Sequence, residues 1–129
     1  KGGKNMPKIF FVNWFRRDKE NPALKSEGGF LWPGYGDNSR VLAYIFDRCN
    51  GQGETVDTPI GKVPAAGQIN IEGLKSCYTE ETMKQVLAVN VDEWKDEVER
   101  IEEHFAKFGK HLPKELVARL DILKQRLGM

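Results

Sequence analysis

The stretch Phe30-Leu31-Trp32-Pro33-Gly34-Tyr35-Gly36-Asp37-Asn38-Ser39 crowds three aromatic side chains around a proline and two glycines, then ends on small polar residues. Pro33-Gly34 is a turn signal, and Gly36 adds a second flexible point just beyond it. Asp37, Asn38 and Ser39 are all good helix N-cap types. After them Val41, Leu42, Ile45, Phe46 and Cys49 recur at helical spacing until Gly51 supplies a stop. An aromatic turn therefore leads into an amphipathic helix.

Upstream of the turn, Ile9-Phe10-Phe11-Val12-Asn13-Trp14-Phe15 is a β-branched and aromatic run just after Pro7. It is too short for a helix and predicts a buried strand. From Arg16 to Gly29 the chain turns polar, holds Pro22 and closes on Gly28-Gly29, which predicts a loop over the surface. Its basic residues Arg16, Arg17, Lys19 and Lys25 are interrupted by Asp18, Glu20 and Glu27, the mixture expected of a solvated segment.

Downstream, residues 52–75 are rich in Gly, Pro, Thr and Asp. Short extended pieces are expected at Thr58–Pro64 and at Ile69-Asn70-Ile71. A short helix should follow Thr79, with Met83, Val86 and Leu87 as its apolar face. Asn90 and Glu93 have capping-box spacing, and Trp94, Val98, Ile101, Phe105 and Phe108 step along one helical face until Gly109. Pro113 fits the start of a last helix carrying Leu116, Val117, Leu120, Leu123 and Leu127. The two helices should pair as an antiparallel hairpin. The fold class is therefore α+β: a few strands, an aromatic pocket and a helical C-terminal hairpin, expected as a single unit over residues 1–129.

Bulk properties narrow the functional classes. A chain of 129 residues is an ordinary length for one domain, and 40% hydrophobic with 30% charged residues suits a globular protein. The net charge of +1 argues against nucleic acid as a partner. No apolar run reaches the roughly 20 residues of a membrane-spanning helix, so no membrane role is expected. Cys49 and Cys77 form no CxxC pattern, which favours a reduced, cytoplasmic setting. The chain opens Lys1-Gly2-Gly3-Lys4-Asn5 without methionine, and a piece of something longer is expected.

Phe15, Phe30, Trp32 and Tyr35 could hold a flat heteroaromatic ligand, since stacking is worth on the order of 1–3 kcal/mol per base. Stacking tolerates any base, so discrimination needs edge hydrogen bonds. Asn38 with backbone near Gly34 and Gly36 could match a guanine edge that adenine leaves unpaired. The same residues also suit a simpler role, in which the aromatics are core and Asn38 caps a helix. His104 and His111 fall in or beside the C-terminal helices and do not resemble metal ligands. The acidic residues Asp96, Glu97, Glu99, Glu102 and Glu103 suit a solvated helix face better than a cation site.

The run Ile9–Arg16, followed by Phe30–Leu42, resembles the guanine-site region of GTP-dependent phosphoenolpyruvate carboxykinases. Similarity continues through Thr58-Pro59-Ile60-Gly61 and the Trp94 helix to Leu123-Lys124-Gln125-Arg126. The resemblance implies the C-terminal part of that family's nucleotide-binding lobe. Its members convert oxaloacetate and GTP to phosphoenolpyruvate, GDP and carbon dioxide, a step of gluconeogenesis.

Carried over residue by residue, the resemblance makes Phe15, Phe30 and Tyr35 a clamp for the guanine. Asn38 would read its edge, with backbone of Tyr35, Gly36 and Asp37 helping and Trp32 in support. Many relatives have phenylalanine at Tyr35 and glutamate at Asp37, and the Arg16–Gly29 loop is longer than usual. No catalytic residue and no metal ligand is assigned within the chain. The family's manganese or magnesium ligands, substrate arginines and phosphate loop lie upstream, and no GxxxxGK followed by serine or threonine occurs here. The chain alone is thus expected to be inactive, with guanine nucleotide and the upstream lobe of the same enzyme as partners, and with self-association through uncovered apolar surface. The competing class is a non-enzymatic interaction module that docks a protein through the C-terminal amphipathic helices.

Overall fold

The computed structural model describes residues 6–129, so the opening Lys1–Asn5 lies outside the described residues. The architecture is α+β. Four α-helices, α1 (Asn38–Cys49), α2 (Glu80–Leu87), α3 (Val91–Ala106) and α4 (Lys114–Leu127), accompany one two-stranded sheet of β1 (Thr55–Thr58) and β2 (Gly61–Pro64). The chain groups into two compact units. One holds the chain up to Val56 together with Pro64–Ala88, and the other holds Asp57–Val63 with Val89–Met129.

The first unit builds its core from residues far apart in the chain. Trp32, Tyr44, Ile69 and Met83 form one buried cluster, with Trp14, Val41, Ile71 and Val86 packed against it. Leu24, Leu31 and Tyr78 form a second, backed by Leu74 and Cys77. Thr79 starts α2 as foreseen, in a reciprocal cap with Thr82, and Met83 is buried while Val86 and Leu87 are half-buried. Arg16 Nη1 donates to Val86 O at 3.0 Å and Ala88 O at 2.6 Å, satisfying carbonyls that the end of α2 leaves free.

Three expectations fail in this unit. No strand forms over Ile9–Phe15, where Ile9 is 87% and Phe11 95% exposed. A strand needs a neighbour to complete its hydrogen bonds, and no described residue runs beside this one. Lys8 Nζ instead donates to Arg48 O and Cys49 O at the end of α1. Ile69-Asn70-Ile71 forms no strand either: Ile69 is buried core, and Asn70 Oδ1 accepts from Glu72 N in a local turn. The Arg16–Gly29 segment is more than a solvated loop. It contains a 3-10 helix, Pro22–Glu27, capped by Asn21, and its Leu24 is fully buried.

Helix α1 forms where the apolar period placed it, but turned about its axis. Tyr44 is buried and Val41 and Ile45 half-buried, whereas Leu42, Phe46 and Cys49 face solvent. The deciding contact is polar: Tyr44 Oη donates to Glu54 O at 2.9 Å while its ring enters the core.

Of the extended piece expected over Thr58–Pro64, Gly61–Pro64 is β2, Thr58 is the last residue of β1, and residues 59–60 form the turn between them. Thr58 Oγ1 donates to Gly61 O at 2.6 Å and Lys62 pairs with Asp57 at 2.8 Å. Asn90 Oδ1 accepts from the backbone of Asp92 and Glu93 and starts α3. Val98, Leu120 and Leu127 are buried between α3 and α4, flanked by Trp94, Ile101, Phe105 and Leu123. The apolar stripe on α3 is therefore mostly consumed by the hairpin's own core. Helix α3 stops at Ala106 rather than at Gly109, because Gly109–His111 tightens into a 3-10 turn. Among the described residues no helix is long and apolar enough to cross a membrane.

Candidate functional site

A cleft of about 390 Å³ opens in the first unit, within the size range of small-molecule sites. Phe15, Phe30, Tyr35 and Asn38 all line it, although Phe15 and Asn38 lie far apart in the chain. A small ladder brings them together. Arg17 and Phe30 form an antiparallel bridge, Leu31 N donates to Arg16 O at 3.0 Å, and Asp18 N donates to Gly29 O at 2.8 Å. Gly29 makes this closure feasible. It sits at φ 74°, and an added Cβ would meet Asp18 O at 3.1 Å.

The ladder sets Phe15 and Phe30 edge to face, with ring centroids 6.4 Å apart and planes at 60°. That contact leaves no parallel slot between the two rings, so together they form one wall of the cleft. The Arg17 guanidinium lies 3.9 Å from the Phe30 ring centroid, a cation–π contact that fixes this wall. Phe15 is 74% and Tyr35 96% exposed, so both rings offer free surface.

The turn that presents Tyr35 depends on Gly34, whose φ of 103° and ψ of −151° only glycine adopts without strain. Tyr35–Asp37 forms a 3-10 turn, and Asp37 N and Asn38 N donate to Gly34 O and Tyr35 O. This turn occupies the entrance of α1, so the expected side-chain cap does not form. Asp37 pairs with Arg40 at 3.0 Å instead. Asn38 Oδ1 accepts from Trp32 Nε1 at 2.8 Å. Gly36 and Asp37 stand on the turn but outside the cleft lining.

Trp14 also lines the cleft, as do Glu27 and Tyr78, which were not singled out from the sequence. Both Glu27 carboxylate oxygens lie 2.8 Å from Lys75 Nζ. The Lys75 hydrogen bond, more than its charge alone, holds the Glu27 carboxyl below the usual range and raises Lys75 in turn. Burial first, and the charge of Glu27 second, push the Tyr78 phenol up to about 12. The cleft thus offers aromatic faces, an amide and an anionic carboxylate, the furniture of a site for a planar, hydrogen-bonding ring. No group of three or more histidine, cysteine, aspartate or glutamate side chains able to hold a metal ion occurs among the described residues. The acidic residues of α3 are mostly exposed, Glu97 being half-buried, and Glu102 is paired with Lys124.

The class is that of a P-loop domain: the profile of the phosphoenolpyruvate carboxykinase C-terminal P-loop domain matches residues 1–126. The chain belongs to the GTP-dependent phosphoenolpyruvate carboxykinase family. It is 49% identical over 126 residues to the phosphoenolpyruvate carboxykinase (GTP) of Treponema pallidum subsp. pallidum, covering 97% of this chain and 19% of that relative. The enzyme of the same name from Neocallimastix frontalis is 47% identical over 123 residues, covering 95% and 19%. That of Paenarthrobacter aurescens is 46% identical over 125 residues, covering 97% and 19%. The chain therefore spans about a fifth of the length of these curated relatives.

Proposed function

We propose that residues 1–129 act as the C-terminal, guanine-binding portion of an enzyme that converts oxaloacetate and GTP to phosphoenolpyruvate, GDP and carbon dioxide. The observation that carries this reading is the gathering of Phe15, Phe30, Tyr35 and Asn38 around one cleft inside the family-matched segment. The base would lie against the Phe15–Phe30 wall, and Tyr35, nearly free of contacts, would close over its other face. Asn38 would read the base edge, with backbone of Tyr35, Gly36 and Asp37 assisting. The Tyr35 hydroxyl would stay in water.

Binding the base at a distance from the reacting phosphate would hold the triphosphate in line, so that remote contacts lower the barrier to transfer. Manganese or magnesium would be held by the upstream lobe, which also supplies the reacting residues, so the chain alone would be inactive. The working compartment would be the cytoplasm. The exposed Ile9, Phe11, Leu42 and Phe46 suit burial under that lobe, and in its absence self-association. The rival reading, a docking module built on the C-terminal helices, loses its main support because the α3 stripe is occupied by α4.

The test is Asn38→Ala in the full-length enzyme. A fall in kcat/KM for GTP, with the structure intact, is expected. Unchanged use of GTP would sink the assignment.

A further inference from the structure

We propose that Trp32 is the positioning residue that sets which purine edge the cleft accepts, by holding Asn38 Oδ1 inward so that Asn38 Nδ2 is left as a donor. The inference rests on the base-reading role given to Asn38 above and adds the reason that role has a direction.

An asparagine amide has two faces of opposite sense, an acceptor oxygen and a donor nitrogen, and either could meet a ligand. Left free, it would rotate to suit guanine or adenine alike. Trp32 removes that freedom. Its indole nitrogen can only donate, and Trp32 as a whole residue is only 5% exposed, which leaves that donor little access to water. A buried donor without a partner is costly, so the Asn38 atom 2.8 Å away has to be the oxygen. Turning the amide over would set two donors against each other.

The indole itself cannot shift to accommodate such a turn. It is wedged in the cluster with Tyr44, Ile69 and Met83. Asn38 is the first residue of α1, on the rigid side of the 3-10 turn, and it lines the cleft. With Oδ1 committed, Nδ2 donates to no described residue and is not buried without a partner, so it remains open to a ligand.

An amide nitrogen there pairs with a keto oxygen, such as O6 of guanine. It opposes the exocyclic amino group that adenine carries at the same ring position. The selectivity thus originates in Trp32, a buried residue that also forms part of the cleft wall, acting through the Asn38 side chain. The Asn38 amide does not see the guanine N1 and N2 donors, which need acceptors elsewhere in the cleft.

The experiment measures the affinities of GDP and ADP by equilibrium dialysis on the full-length protein, with folding checked by thermal melting. Trp32→Phe keeps an aromatic ring and removes the donor, and the GDP-to-ADP preference should fall about tenfold, the size of one oriented hydrogen bond. Asn38→Asp keeps the acceptor for Trp32 but replaces Nδ2 with oxygen, and the preference should reverse. If folded Trp32→Phe keeps the wild-type preference while Asn38→Ala loses it, Asn38 reads the base unaided and the proposal falls alone. If the wild type shows no preference, the guanine reading falls with it. Should Trp32→Phe fail to fold, Asn38→Asp decides: continued preference for GDP overturns the proposal.

Discussion

The two units of this chain are built on opposite plans. The α3–α4 unit draws its core from neighbouring turns of two regular helices, capped by local side chains. The cleft-bearing unit has few regular elements and is held by contacts such as Arg16 to Val86 and Glu27 to Lys75, between residues distant in the chain. In the first plan each residue contributes chiefly to stability. In the second, the groups that hold the fold also shape the cleft, so stability and binding should fail together.

The sharpest way to break that contrast is to open a cavity in each unit. Leu24→Ala and Leu120→Ala each remove a buried side chain and should each cost about 2–5 kcal/mol by chemical denaturation. Leu24→Ala should also abolish nucleotide binding, because Leu24 packs with Leu31 and Tyr78 beside the cleft. Leu120→Ala should leave binding by the surviving folded fraction unchanged. Equal effects of both on binding would erase the distinction.

Next in size is Gly34→Ala. No atom lies within 4 Å of the added Cβ, so any loss comes from backbone strain alone, about 1–3 kcal/mol. Thermal melting and GDP titration of this variant should both worsen. Asn90→Ala removes the α3 cap and should cost about 1 kcal/mol in melting experiments without touching affinity.

The contrast also explains what the sequence made legible. The caps at Thr79 and Asn90 and the period of α3 are local, and each reads directly from neighbouring residues. The aromatic turn and Asn38 were legible through their distinctive pattern. Glu27 and Tyr78 were not, because what brings them to the cleft is tertiary packing and a Lys75 partner with no local signal. Ile9–Phe15 had strand composition, but a strand also needs a partner, and composition carries no information about one. On α1 the period located the helix and missed its rotation, which the Tyr44–Glu54 hydrogen bond decides.

A last expected effect, seen only at high pH, is a pH response confined to the cleft unit. The Tyr78 phenol titrates near 12 in the folded protein against 10.0 for the free group, so the fold favours the protonated form. Its contribution is fully present below pH 10 and is lost as pH rises toward 12. Melting temperatures of Tyr78→Phe and wild type should therefore converge or cross as pH climbs through that window. Parallel curves would show that Tyr78 does not sense its surroundings.

The most direct test of the whole account uses the chain's three tryptophans as reporters, Trp14 and Trp32 at the cleft and Trp94 on α3. Indole N–H resonances of isotope-labelled chain would be followed during titration with GDP and then with ADP. The account predicts weak binding in which GDP moves Trp14 and Trp32, leaves Trp94 in place, and exceeds ADP in effect. Equal shifts with both nucleotides, or a Trp94 response as large as the other two, would contradict a guanine site in this cleft.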